Sequence, residues 1–383
     1  VLFSNYMKVL LICEDIEGKS GWSTYSRDLY DELSNKNKVI LVTSKNGKSN
    51  HSILPSPISA AVFPPRLFVL KRKLRKIIRE ENPDIIHCTV EPYAPLLLLL
   101  PKKYKAKCLI TAHGSYGVRP LEKNISRFFA KKYYKRCTRI ICVSNYTKNA
   151  VSKAIEKYEN KSVAKAFLNK AVVIHNGISI NNIDSLIGEN LKLKANSLKL
   201  ILLVGGMKPR KGILEAINAC SRYKAKYNNN FIFHIVGTPY EDSKFTKNIK
   251  DKVSELGLEN NIKIRGQISG TELSDLYKNA DLYLMPAKTT PNTFEGFGLV
   301  YLEANSYGVP CIGPNDSGAT EAILEGKTGY SVDPSNAELI SERMNWILNE
   351  NKINPNECKQ WAKSHSKEKM ANDVLDVYLE ISK

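Results

Sequence analysis

Short apolar runs alternating with amphipathic helical stretches, from one end of the chain to the other, constrain this sequence more than any other feature. In the first half the runs are Lys8–Cys13, Val39–Thr43, Asp84–Cys88, Cys108–Ala112, Arg139–Val143 and Ala171–His175. Between them lie Ser23–Leu33, Arg66–Glu80, Lys123–Cys137 and Tyr146–Ala154, all with helical periodicity. The runs lack polar alternation, the pattern of parallel strands covered on both faces. Strand–helix alternation of this kind builds a doubly wound sheet. The polar stretch Asn181–Ser197 breaks the rhythm and reads as a linker. Alternation then resumes with strands Lys199–Val204, Phe231–Val236, Ile262–Ile264, Leu282–Pro286 and Pro310–Gly313. Helices Ile213–Tyr223, Ser243–Leu256, Thr271–Asn279 and Leu299–Tyr307 lie between them, and a last helix spans about Lys369–Ser382. A chain of 383 residues is too long for one ordinary core. The expectation is two Rossmann-like α/β domains, residues 1–190 and 191–365, with ligands bound at the strand C-terminal edges.

Apolar residues make up 43% of the chain, which excludes a disordered protein. No apolar run approaches the roughly 20 residues that span a bilayer; Leu96–Leu100, set between Pro95 and Pro101, reads as a buried helix segment. Met7 looks like a true start that leads at once into a strand, with no signal architecture before it, so a cytoplasmic protein is expected. The eight cysteines form no C-x-x-C pair and no metal spacing with histidine, and read as reduced buried thiols. The net charge of +19 is uneven. Residues 1–190 carry 32 Lys+Arg against 15 Asp+Glu, a balance of +17, while residues 191–383 carry 25 against 23, a balance of +2. A basic surface confined to one domain points to a polyanion on that side: anionic bilayer, acidic glycan or nucleic acid. Nucleic acid is set aside because no recognition motif accompanies the basic helices.

The sharpest local feature is Glu295-Gly296-Phe297-Gly298-Leu299-Val300-Tyr301-Leu302-Glu303, which follows a strand and opens a helix. The glycines allow a tight turn and close ligand approach. The amides of Phe297 to Val300 stand at a helix N-terminus, a ready anion site. Glu303 lies one turn into the helix and leans back toward the same place. Two acceptor-only carboxylates beside an anion site suit the hydroxyls of a sugar and a ribose. A second feature, Gly205-Gly206-Met207-Lys208-Pro209-Arg210-Lys211-Gly212, brings three cations to a helix start, as a departing diphosphate requires. In the first half, Glu17-Gly18-Lys19-Ser20-Gly21-Trp22 precedes the first helix and suits a loop over phosphates. His113, at the end of Cys108–Ala112, is placed to donate a hydrogen bond to a substrate oxygen, and His175 reads as a hinge residue.

Together these residues resemble the GT-B glycosyltransferases of family four, over most of the chain from Met7 to the last helix. The Glu295–Glu303 motif with Gly308-Val309-Pro310 is the most specific part, followed by Pro314–Glu321, Val143-Ser144 and Asn176-Gly177. The resemblance implies two facing Rossmann-like domains, the second binding a UDP- or GDP-sugar and the first binding the acceptor. It implies that the final helix, residues 366–383, crosses back onto the first domain. Glu295 would contact the donor hexose, Glu303 the ribose, Lys211 the diphosphate, His113 the transferred sugar and Gly21 the phosphates. The chain departs from the family at Gly206, where arginine is frequent and Arg210 is the nearby substitute, and at Ser20-Gly21, which stands for a Gly-Gly pair.

The expected activity is metal-independent hexosyl transfer with retention, to a glycan or lipid-linked glycan in cell-surface polysaccharide assembly. No cofactor is expected beyond the nucleotide-sugar. The basic stretches Arg66–Ile78 and Lys123–Arg139 suggest peripheral contact with the inner face of an anionic membrane. A nucleotide-sugar 2-epimerase and a non-catalytic subunit of a polysaccharide assembly complex are the alternatives.

Overall fold

The computed structural model describes residues 6–44, 48–100, 107–180, 198–238, 243–290 and 293–382. The expected linker, Asn181–Ser197, lies outside the described residues. The chain divides into two compact units, one of Val1–Ser179 with His365–Lys383 and one of Ile180–Ser364.

Among the described residues the first unit is built on seven strands: β1 (Lys8–Ile12), β2 (Lys38–Ser44), β3 (His51–Leu54), β4 (Ile85–Cys88), β5 (Cys108–Ala112), β6 (Arg139–Cys142) and β7 (Ala171–Val173). They lie in the order β3-β2-β1-β4-β5-β6-β7, every neighbour parallel. Val9 to Ile12, Ile85, Ile86 and Cys108 to Ala112 are fully buried, as unalternating runs require. The order reverses between β1 and β4, so the loops after these two strands flank the crevice of this sheet. The helix Gly21–Ser34 starts on Ser20, whose Oγ accepts from the Ser23 amide at 3.0 Å.

The final helix, Lys367–Ser382, belongs to this unit and packs on Gly21–Ser34. Val374 and Tyr378 are fully buried, and the Tyr378 hydroxyl lies 2.6 Å from His87 Nδ1 in β4. Lys367 pairs with Glu32 at 3.1 Å, and Arg139 pairs with Glu380.

Two expectations are revised here. Arg66–Glu80 is not one helix but a 3-10 segment, Pro64–Leu70, followed by an α-helix, Lys71–Glu81. Leu67 and Leu70, three apart and both buried, match a three-residue turn. Leu96–Leu100 falls mostly in a 3-10 segment, Glu91–Leu99, interrupted by Pro95.

Among the described residues the second unit holds six strands: β8 (Lys199–Val204), β9 (Phe231–Val236), β10 (Ile262–Gly266), β11 (Leu282–Leu284), β12 (Cys311–Pro314) and β13 (Gly329–Val332). Their order is β10-β9-β8-β11-β12-β13, again all parallel. The reversal here falls between β8 and β11. Two doubly wound α/β sheets therefore stand where the alternation placed them. All eight cysteines are buried thiols in no disulfide, and among the described residues no helix is long and apolar enough to cross a membrane.

Candidate active site

In the second unit the loops after β8 and β11, on either side of the sheet reversal, meet. After β8 the chain turns through Gly205 and Gly206 into a short 3-10 segment, Pro209–Lys211. Gly212 follows at φ 69°, and a Cβ there would lie 1.8 Å from the Pro286 carbonyl oxygen, so only glycine lets the two loops close. The Lys288 amide then donates to the Arg210 carbonyl at 2.8 Å. This closure buries the Lys211 side chain and aims it at the loop after β11. Lys211 Nζ lies 2.8 Å from Glu295 Oε2, and Arg210 Nη1 reaches the same oxygen at 3.1 Å.

The Gly-rich turn holds Glu295 in place. Its carbonyl accepts from the Gly318 amide at 2.9 Å, which ties in the loop Pro314–Glu321. Gly296 is buried and Phe297 is sunk into the core, 1% exposed. Gly298, at φ 88°, caps the helix Leu299–Ser306; a Cβ there would stand 2.6 Å from the Tyr301 ring. That ring is fixed because the Tyr301 hydroxyl donates to the Met285 carbonyl at 2.7 Å. Leu299 and Val300 open the helix half-buried. Glu303, one turn in, accepts from the Tyr277 hydroxyl at 3.3 Å.

Burial alone would raise the Glu295 carboxyl, but the charges of Lys211 and Arg210 and their hydrogen bonds hold it at about 2. Burial lowers Lys211, with Glu295 opposing and Arg210 and Lys208 adding to the shift. Burial raises Glu303, opposed by the Tyr277 bond and the Lys211 charge. Lys211 thus acts on both carboxylates of the motif. The cluster Lys208, Arg210, Lys211 and Glu295 carries a surplus of positive charge in a crevice at a helix start, which suits an anion of two or more charges. At Gly206 an added Cβ would meet only the Lys208 side chain, Cε at 3.7 Å and Cγ at 4.0 Å, so the backbone has room there for a side chain.

In the first unit, Gly21 opens the first helix and is exposed, and a Cβ there meets nothing within 4 Å. The tight glycine of that loop is Gly18, whose amide donates to Asp15 Oδ1 at 2.5 Å and whose Cβ would clash with Asp15 and Ser23 at 2.7 Å. His113 follows β5. Its Nε2 lies 2.8 Å from the Thr89 carbonyl, which can only accept, so Nε2 carries the proton. Burial lowers His113 to about 4, so the ring is neutral near pH 7. With its one proton held by the Thr89 carbonyl, the ring has no N–H left for the expected donation, and the remaining nitrogen, Nδ1, can only accept. His175 stacks on His365 with centroids 5.6 Å apart, where the first unit's two segments meet.

Glu91 is a residue that the motif reading missed. It is 1% exposed, accepts from the His113 amide at 2.5 Å and from Trp22 Nε1 at 3.1 Å, and is pushed up to about 7 by burial. Its one visible signal is an acidic residue inside the otherwise apolar stretch Val90–Leu100.

Comparison with known proteins agrees with this geometry. The family described as Glycosyl transferases group 1 matches residues 190–367, and Glycosyltransferase Family 4 matches residues 19–182. An uncharacterised glycosyltransferase of Methanocaldococcus jannaschii, MJ1178, is 26% identical over 312 residues, 80% of this chain and 78% of that protein. An uncharacterised 41.2 kDa protein in the cps region of Klebsiella pneumoniae is 25% identical over 368 residues, 88% of this chain and 94% of that one. The crystal structure of Anabaena HepE in complex with UDP and glucose superimposes with a TM-score of 0.69 at 17% identity, covering 97% of this chain and 99% of that chain. Two parallel α/β sheets, family matches over both units and full-length structural likeness lead to one conclusion: this chain is a glycosyltransferase of the GT-B fold and the family-four type.

Proposed function

We propose that the enzyme transfers a hexose-type sugar from a UDP- or GDP-sugar, with retention and without a metal, to a glycan or lipid-linked glycan of a cell-surface polysaccharide. The observation that carries this reading is the meeting of Lys211, Arg210 and Glu295 at the sheet reversal of the second unit. A leaving diphosphate gains negative charge as the glycosidic C–O bond breaks. Lys211, Arg210 and Lys208, with the amides at the start of Leu299–Ser306, are the groups that stabilise it. On diphosphate binding the two cations have phosphate oxygens to serve as well as Glu295, whose carboxylate is then available to hexose hydroxyls. Glu303 takes the ribose hydroxyls. The nucleotide-sugar is supported by the UDP and glucose bound to Anabaena HepE. The polysaccharide assignment is supported by the Klebsiella relative from a cps region.

In the step we infer, the acceptor oxygen bonds to the anomeric carbon on the face that the diphosphate leaves. The acceptor proton passes to a leaving phosphate oxygen, so no side chain is consumed. His113 orients a sugar hydroxyl through Nδ1, and Glu295 is a positioning residue rather than a nucleophile. The basic helices of the first unit make peripheral contact with an anionic membrane that carries the acceptor.

Lys211→Ala tests the reading. Turnover should fall by about two orders of magnitude, with a melting profile that still shows a folded protein. Near-normal turnover in that variant sinks the phosphate role. A thermal-shift panel of UDP-, GDP- and ADP-sugars identifies the base, since a true donor stabilises the fold by mass action.

A further inference from the structure

The first unit has its own sheet reversal, between β1 and β4, and a buried carboxylate stands there that the step above does not use. We propose that Glu91 is a positioning residue for transfer: its carboxylate ties the start of helix Gly21–Ser34 to the loop after β5 and so fixes His113. This rests on the reading in which His113 serves the transferred sugar.

Each Glu91 oxygen accepts an N–H, Oε1 from the His113 amide and Oε2 from the Trp22 indole, and the nearby amides of Gly114 and of Glu91 itself also favour the charged form. Only an ionised carboxylate offers about four lone pairs and no donor of its own. Glutamine would turn an N–H toward one of these donors. Among the described residues no Lys or Arg pairs with Glu91, so its charge rests on N–H dipoles alone, a costly arrangement for a buried anion. Asp15, Glu14 and the other acids near the first loop reach the surface; Glu91 does not. The same short segment grips His113 twice, because the Thr89 carbonyl takes the ring N–H while Glu91 takes the backbone N–H. The Tyr25 ring closes the third side, edge-on with centroids 4.6 Å apart. His113 Nδ1 is thereby aimed by contacts from the segment after β4 and from the helix that follows β1.

Protonation would undo the clamp, since one accepting oxygen becomes a hydroxyl among N–H groups. Among the described residues, Cys88, Cys142, Tyr133 and Tyr134 lie close enough to feel the Glu91 charge, and His113 is bonded to it through its amide. Burial lowers His113 to about 4 and pushes the thiols and phenols up, so all five are uncharged around neutrality. Glu91, pushed up to about 7, titrates there by itself.

The test is kcat and donor KM across pH 5.5–8.5 (on the order of one unit beyond each side of this titration) for wild type, Glu91→Gln, Trp22→Phe and His113→Ala. Wild-type kcat should fall as pH drops through about 7, where the carboxylate takes up its proton. Glu91→Gln should lower kcat at pH 8 by about 10- to 100-fold, remove the acid limb and leave donor KM unchanged. Trp22→Phe, which removes one donor and keeps an aromatic side chain, should lower kcat less and retain the limb. A Glu91→Gln enzyme whose acid limb and kcat match wild type overturns the proposal. So does a wild-type profile that is flat through neutrality, which needs no variant to fold. A merely structural Glu91 would lower kcat and the melting temperature together and leave the pH dependence in place. If His113→Ala keeps full turnover, the His113 reading fails, and that outcome is read separately from the Glu91 profile.

Discussion

At the residue scale the site depends on charges that are buried together. Glu295 and Lys211 are 84 positions apart in the chain and 2.8 Å apart in space. Their types and glycine-rich settings were legible, because each sits after an apolar run and before a helix. Their pairing was not, because it depends on Gly212 closing one loop on Pro286. The His113 tautomer was equally invisible, being decided by the Thr89 carbonyl. The Glu295 pair has a definite pH signature. The folded-state value of about 2 lies below the usual 4.5, so the contribution to stability is fully present above about 4.5 and is lost as pH falls toward 2. Glu295→Gln should therefore destabilise the protein at pH 7 by on the order of 2–3 kcal/mol, with the gap to wild type narrowing between pH 4.5 and 2. Adding Lys211→Met should restore much of the melting temperature, since both buried charges then leave together, without restoring turnover. Equal melting curves for wild type and Glu295→Gln at every pH would show that the pair contributes nothing.

At the scale of elements, the central strands were readable, as were the edge strands β7 and β10, whereas the edge strands β3 and β13 were not. β1, β5 and β8 are runs buried on both faces, and their apolar character alone marks them. β3 (His51–Leu54) and β13 (Gly329–Val332) are short edge strands whose pairing, rather than composition, makes them strands. The final helix shows the same limit. Its apolar spacing predicted a helix, while its docking onto β4 is decided by a chain of side chains. Tyr378 meets His87 at 2.6 Å, His87 meets the Thr111 hydroxyl at 2.8 Å, and Thr111 meets the Tyr25 hydroxyl at 3.1 Å. Burial lowers His87 to about 3, so this chain is neutral and its cost lies in unmet hydrogen bonds rather than charge. Tyr378→Phe leaves His87 Nδ1 buried with no partner and should cost about 1–3 kcal/mol of first-unit stability. The nucleotide binding we propose for the second unit should be unchanged. A variant as stable as wild type in thermal melts would show that the hydroxyl is dispensable.

At the scale of the whole molecule the charge is lopsided, with +17 in residues 1–190 against +2 in residues 191–383. The structure shows what shape that charge takes. On helix Lys71–Glu81, Leu74, Ile77 and Ile78 face the core, while Lys71, Arg72, Lys73, Arg75, Lys76 and Arg79 are exposed. The 3-10 segment before it leaves Val69 81% exposed. Helix Asn124–Arg136 leaves Ile125 and Phe128 exposed at 68% and 53%, with the Lys132 ammonium 3.7 Å above the Phe128 ring. The two elements touch through Phe68 and Phe129, centroids 5.5 Å apart, so the apolar tips and the cations share one region of the first unit. Cations alone would suit any polyanion, whereas protruding Val, Ile and Phe among them suit a surface with an anionic plane and an apolar layer beneath it. Each basic residue near such a surface is worth about 1 kcal/mol. Reversing Lys71, Lys73 and Lys76 to glutamate should therefore abolish binding to phosphatidylglycerol vesicles, and salt at about 0.5 M should release the wild type. Val69→Ser with Phe128→Ser removes only the apolar tips. It should weaken binding at constant charge, which separates insertion from plain electrostatic attraction. Equal sedimentation with neutral and anionic vesicles would place the first unit's charge in the service of something other than a bilayer.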